Sequence, residues 1–153
     1  MNRDEFLKKL EVELKISKNS KHTLRNYVDY NLKFMDFTRK NPENINEEDV
    51  KLFMSENLSD KASSSIIVFL SAIKYAYSNI LGKDITVKIK RPKKEKRIPE
   101  VLTKDEIKKI LDSMSNKKSK LIVSLLYACG MRVSEILNLK ISDLDFDNKT
   151  GNI

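Results

Sequence analysis

Apolar residues recur along this chain with the period of α-helices, and polar breaks divide them into segments of one to two dozen residues. Phe6, Leu7, Leu10 and Leu14 repeat at helical spacing in a first segment, which the polar, cap-forming residues 17–20 interrupt. A second helix is predicted over about residues 21–40. On it Leu24, Tyr27, Val28, Leu32, Phe34 and Met35 share one broad arc, while Arg25, Asn26, Asp29, Lys33 and Asp36 share the other, so the aromatics read as core. Asn41-Pro42 ends this helix, because the residue before a proline avoids the helical region. Asn46 with Asp49 three residues on predicts an N-cap for a third helix, about 47–56, that turns Val50, Phe53 and Met54 inward. Ser59-Asp60 is predicted to cap a fourth helix that runs to Leu81 and closes at Gly82. Its buried face comprises Ile66, Phe69, Leu70, Ile73, Ala76, Tyr77 and Ile80; Ser63, Ser64, Ser71, Lys74 and Ser78 lie opposite.

The helical period is lost over residues 83–99, which hold two prolines and read as an extended connector. It returns at Thr103, where Thr-x-x-Glu to Glu106 forms a capping box and Leu102 and Ile107 are placed to staple it, predicting a helix to about Met114. The run from Leu121 to Cys129 is apolar enough to predict a helix buried on most sides, broken by Gly130, with another helix starting at about Arg132. Residues 141–147 then alternate at period two, as in a strand, residues 148–151 make a turn, and Ile153 begins a further strand. With no later partner in the sequence, the segment after about Asp143 is expected to fray or to pair with another chain. The expected organisation is mainly α: a four-helix domain over 1–82, a linker over 83–99, and a second helical block over 100–153 with one or two terminal β-strands.

Composition changes this picture mainly through where the charge lies. Of the 153 residues 34% are charged and only three are glycine and three proline, which favours helices over turn-rich sheet. The net charge of +8 is concentrated: residues 1–82 carry 13 basic and 12 acidic side chains, residues 83–97 carry 8 and 2, and residues 98–153 carry 9 and 8. A basic strap between two nearly neutral blocks is suited to lie against a polyanion; a solvated linker kept extended by its own repulsion, or a localisation signal, would have the same composition. No N-terminal apolar h-region follows Met1, and no apolar run reads as long enough to span a bilayer, so a soluble, cytoplasmic protein is expected. Cys129, alone in the most apolar helix, reads as a small core residue, and one cysteine with one histidine forms no metal-ligand cluster.

Two features carry candidate chemistry. Arg132 stands near a helix N-terminus, where orphan N–H groups and the dipole favour an anion such as phosphate, and Glu135 lies one turn on, close enough to fix its guanidinium. By spacing alone the commoner reading is an ordinary exposed i,i+3 pair. The hydroxyl-and-lysine face of the fourth helix carries no acid, and short neutral donors beside a lysine suit phosphate contacts; a merely solvated face is the alternative.

The string Gly130-Met131-Arg132-Val133-Ser134-Glu135-Ile136, followed by Leu139 and Ser142-Asp143-Leu144-Asp145, resembles the first arginine box of the tyrosine recombinases, the phage-integrase and Xer family. Cys129 stands where that family often has threonine, and Ile141 where it often has tryptophan. The resemblance implies a SAM-like, four-helix core-binding domain whose second and fourth helices face double-stranded DNA, a basic linker, and the helical start of a catalytic domain. By the same resemblance Arg132 is the first catalytic arginine and Glu135 its positioning residue. Lys18, Lys21, His22, Arg25, Ser63, Ser64 and Lys74 are the implied DNA contacts of the bundle, with Lys90, Arg91, Lys93, Lys94, Lys96 and Arg97 those of the strap. In this family a tyrosine attacks a phosphodiester to give a phosphotyrosyl intermediate, assisted by two arginines, a lysine and histidines. Here Lys149 is one turn too early to be that lysine, His22 is in the wrong domain, and Tyr27, Tyr30, Tyr75, Tyr77 and Tyr127 all precede the box. The resemblance therefore implies the N-terminal portion of a recombinase, inactive in cleavage by itself, acting on DNA beside other protomers, with no cofactor, small-molecule substrate or membrane. A non-catalytic DNA-binding regulator and a helical adaptor without a nucleic-acid role are the other classes; type IB topoisomerases share the catalytic architecture, but the four-helix block fits recombinases better.

Overall fold

Local capping sets the ends of most helices in the computed structural model, which describes residues 1–93 and 98–151. Two units separate: residues 1–97 and residues 98–153. The first holds α1 (Arg3–Ile16), α2 (Lys21–Thr38), α3 (Glu47–Asn57) and α4 (Ser63–Leu81). Asn2 and Ser20 accept hydrogen bonds from the Glu5 and Thr23 N–H groups at the starts of α1 and α2. At α3 the predicted box forms in both directions, with Asn46 Oδ1 accepting from Asp49 N and Asp49 Oδ2 accepting from Asn46 N. Gly82 closes α4 at φ +65°, a left-handed conformation that glycine adopts without steric cost.

Helix α4 does not begin as the sequence predicted. Its first residue is Ser63, its N-cap is Ala62, and no side chain caps it. Ser59 and Asp60 are instead taken up in the turn that leaves α3, closed by Lys61 N donating to Leu58 O, because burial of Leu58 pins that turn to the core. From there α4 runs as the central helix of the unit. Phe69, Leu70, Ala72, Ile73, Ala76 and Tyr77 are buried, and Phe34, Phe53 and Phe69 form an aromatic cluster in which the Phe53 and Phe69 rings stack at 4.9 Å. Contrary to the reading of the sequence, α4 is long and apolar enough to cross a membrane by length and composition; its packing shows that the apolar residues serve this core.

The arc predicted to face the core on α2 does so through Phe34 and Met35, with Leu24, Tyr27 and Val28 partly buried. It also contains a residue assigned to neither face, Asn31, which is fully buried. Asn31 Nδ2 donates to Tyr27 O at 2.8 Å and to Ala72 O at 3.2 Å, so one side-chain amide ties α2 to α4.

The connector is not extended from its start. Ile85 and Thr86 are buried, Ile89 packs partly against the core, and Ile89 N donates to Thr86 O. Lys83 Nζ donates to the Glu43 and Ile45 carbonyls at 2.8 and 2.9 Å. Apolar residues spaced 85 and 89, with a lysine able to reach the orphan carbonyls of the α2–α3 loop, fold this stretch onto the bundle.

The second unit holds α5 (Lys104–Ser113), α6 (Lys117–Cys129), α7 (Val133–Asn138) and a hairpin of β1 (Leu144–Asp145) and β2 (Thr150–Gly151). The Thr103–Glu106 box is present, with Thr103 N and Oγ1 both donating to Glu106 Oε2 at 2.8 Å. Burial of α6 is the expectation that fails: none of its residues is buried, Leu121 and Tyr127 are more than half exposed, and Cys129 is exposed. Three short helices and a two-residue hairpin are too little chain to surround an apolar helix. The strand expectation also changes. Residues 141–143 form a 3-10 turn, only Leu144 and Asp145 are extended, and they pair antiparallel with Gly151 and Thr150 within this chain. Asp145 sets that turn, accepting from Asp147 N and Asn148 N, while Lys149 takes the left-handed conformation at φ +54°.

Candidate nucleic-acid interface and arginine box

Helices α2 and α4 run antiparallel, as the pairs Tyr27–Tyr75, Asn31–Ala72 and Phe34–Phe69 show. This arrangement sorts the predicted contacts into two groups. Lys18, left-handed at φ +50° in the α1–α2 turn, is exposed, as are Lys21, His22 and Arg25 on the first turns of α2. They lie at the end of the bundle where Lys74 and Ser78 emerge from α4, and the Tyr75 hydroxyl joins that end through a 3.0 Å hydrogen bond with Ser17 Oγ. Ser63 and Ser64 start α4 and so lie about 15 Å or more along its axis from Lys74, at the opposite end. The structure does not bring them to the lysine group.

Lys74 is not an unencumbered cation. Its Nζ lies 2.8 Å from Asp84 Oδ2, and Asp84 Oδ1 accepts from Thr86 N and Oγ1 at 2.8 and 2.6 Å. Burial by itself raises the Asp84 carboxyl, but the hydrogen bonds from Lys74 and Thr86 outweigh it and hold the group below its ordinary value. The sequence face lacked acids; the connector supplies one by folding back. Farther along, Lys90, Arg91 and Lys93 are exposed. Lys94, Lys96 and Arg97 lie outside the described residues.

In the second unit, α6 ends at Gly130, whose φ of +63° explains the glycine although a Cβ there would meet nothing within 4 Å. The chain then turns through Arg132, the N-cap residue of α7. Glu135 uses both carboxylate oxygens on it: Oε2 accepts from the Arg132 backbone N–H and Oε1 from Arg132 Nη1, each at 2.7 Å. The backbone bond, then the guanidinium bond, hold the Glu135 carboxyl below the usual glutamate value. Met131 and Ile136 beside the pair are buried, but the Arg132 side chain is 81% exposed, so its remaining donors face solvent. Among the described residues no group of His, Cys, Asp and Glu is placed to hold a metal ion. A His-x-x-Arg string does occur, at His22 and Arg25, but on α2 of the first unit, where His22 Nε2 meets Asn26 Nδ2 at 3.0 Å.

The order of these parts, a four-helix unit followed by an arginine box, has counterparts among known proteins. Residues 6–87 match the model of the phage integrase N-terminal SAM-like domain, more than half of the chain, and residues 100–153 match that of the phage integrase family. The chain belongs to the phage integrase family of tyrosine recombinases. Tyrosine recombinase XerA of Pyrococcus horikoshii is 37% identical over 145 residues, 94% of this chain and 48% of that protein. Tyrosine recombinase XerC of Staphylococcus aureus is 31% identical over 157 residues, covering 94% of this chain and 52% of the relative. The crystal structure of XerA recombinase superposes with a TM-score of 0.50 at 26% identity, covering 95% of this chain and 52% of that one. The chain thus spans about half the length of the recombinases it matches, and its fold is the SAM-like N-terminal domain with the start of the catalytic domain.

Proposed function

We propose that these 153 residues are the DNA-gripping part of a site-specific tyrosine recombinase, binding double-stranded DNA through the helical unit and basic strap and presenting Arg132 to the phosphate that is to be cut. The observation that carries this reading is the two-point hold of Glu135 on Arg132 in a chain whose parts match the family in order. A guanidinium has five N–H donors in a fixed fork. With Nη1 engaged by Glu135, the others can take the non-bridging oxygens of a phosphodiester bidentately and stabilise charge that builds on them during attack. Glu135 positions this group and does not itself touch the reacting atoms.

In the whole reaction a tyrosine hydroxyl gives up its proton as its oxygen bonds to phosphorus, the phosphorus bond to one deoxyribose oxygen breaks, and that oxygen takes up a proton to leave as a hydroxyl, so no net proton is gained or lost. Every tyrosine of this chain precedes the arginine box, so the 153 residues alone bind DNA without cleaving it, and cleavage needs residues of the kind that follow the box in longer relatives, with further protomers on the site.

Binding to a labelled duplex across a salt series tests the reading, beside a variant with Lys93, Lys94, Lys96 and Arg97 changed to glutamate. Each neutralised phosphate contributes roughly 0.9 to the slope of log affinity against log salt. A steep slope that the variant flattens is the expected result. Absence of binding at low salt, or covalent capture of this chain on a nicked suicide substrate, would overturn it.

A further inference from the structure

One cleft of the helical unit was not visible in the sequence, because α2, α4 and the connector each supply part of it. It measures about 260 Å³. Tyr27 and Tyr75 contribute to its lining, their rings packed edge to face at 5.6 Å; Ser71 and Ser78 line it from α4, Lys74 joins them, and Arg91 reaches it from the connector. No carboxylate is among its lining residues, although the chain has 22.

The hydrogen bonds around this cleft show which donors are already used. Ser71 Oγ donates to Ile67 O at 2.8 Å. The Tyr75 hydroxyl is engaged with Ser17. Lys74 gives one N–H to Asp84, which two bonds from Thr86 hold in place, so the ammonium is fixed in position with donors to spare. Arg91 and Lys74 stand beside the Tyr27 and Ser78 hydroxyls; Asp84 offsets part of the Lys74 charge from outside the lining, and the remaining positive charge with neutral hydroxyl donors suits a compact oxyanion. Lys21, His22 and Arg25 stand at the same end of the bundle, which identifies a polyanion as the source.

We propose that this cleft seats a single phosphate of the duplex backbone, held jointly by Lys74 from α4 and Arg91 from the connector with the Tyr27 and Ser78 hydroxyls. The inference rests on the DNA-binding reading above and adds to it that bundle and connector grip the same phosphate. Such a seat fixes the register of the bundle on the duplex without reading sequence.

The experiment is the salt series repeated on the 153-residue chain with Lys74→Gln, Arg91→Gln, both together, and Tyr27→Phe, each checked for an unchanged thermal melt. If both cations hold one phosphate, the double variant loses roughly 0.9 of slope and no more. Tyr27→Phe then weakens binding several-fold at unchanged slope. A loss near 1.8 in the double variant means two separate phosphates and overturns the shared seat; an unchanged slope overturns the cleft as a contact while leaving DNA binding intact. No salt-dependent binding by the unaltered chain would sink both readings. Inorganic phosphate is the control ligand: amide resonances of Ser78 and Arg91 that move with phosphate but not with duplex would overturn DNA as the source.

Discussion

Glu135 holds an arginine by two different atoms, its backbone nitrogen and its guanidinium, and this makes the box sensitive to acid in a definite direction. Because the folded carboxyl lies below its ordinary value of 4.5, the contribution of the two bonds is present in full above that value and is lost as pH falls through the lowered one. The box is therefore intact at neutral pH and at pH 5. In an NMR titration the Arg132 amide is expected to shift with a midpoint below 4.5; a midpoint at or above 4.5 would show that the bonds do not form. The pairing was legible from the i,i+3 spacing, which fixes neighbours on a helix whatever surrounds it. Its exposure was one of two readings, and the structure decides for it, since exposure depends on which other elements arrive. Asn31 is the converse: an amide within an apolar arc reads as a defect until the Tyr27 and Ala72 carbonyls that it bridges are in place. Lys74 and Asp84 likewise meet only because Gly82 turns the chain between them.

At the scale of elements, what could be read was what is decided within four residues. Both Asn46–Asp49 and Thr103–Glu106 boxes form as their spacing requires, and α2 and α4 bury the periodic apolar face. Ser59-Asp60 misled because Leu58 claims the same turn for the core. Residues 83–89 misled for a related reason: charge and proline dominate their composition, while Ile85, Ile89 and the Lys83 ammonium decide their fate. Lys83→Met removes the donor to the Glu43 and Ile45 carbonyls, and hydrogen exchange at Ile85, Thr86 and Ile89 is expected to accelerate at least tenfold, equivalent to about 1.4 kcal/mol, with the α2 and α4 amides unchanged. Unaltered exchange in that stretch would show that the apolar contacts suffice without Lys83.

For the whole molecule the contrast is between a unit with a filled core and one without. Phe6, Leu10, Phe34, Phe69 and Tyr77 are fully buried in the first unit, whereas in the second only Met131 and Ile136 fall in the buried class among the described residues. Urea unfolding followed residue by residue is therefore expected to show α5 to α7 lost at lower urea than α1 to α4; one coincident transition would count against separate units. The family was legible from twelve residues around and after Arg132: Gly130 to Ile136, Leu139, and Ser142 to Asp145. What could not be read was where the first part stops, because a linker and a packed corner have the same amino-acid content here.

That corner alters what lengthening or shortening the chain would do. A charged, proline-bearing segment ordinarily absorbs added or deleted residues at little cost. Between Gly82 and Ile89 one residue more or less would unseat the Lys83 ammonium, Ile85 and Ile89 at once, so this stretch is as intolerant of insertion as a helix turn.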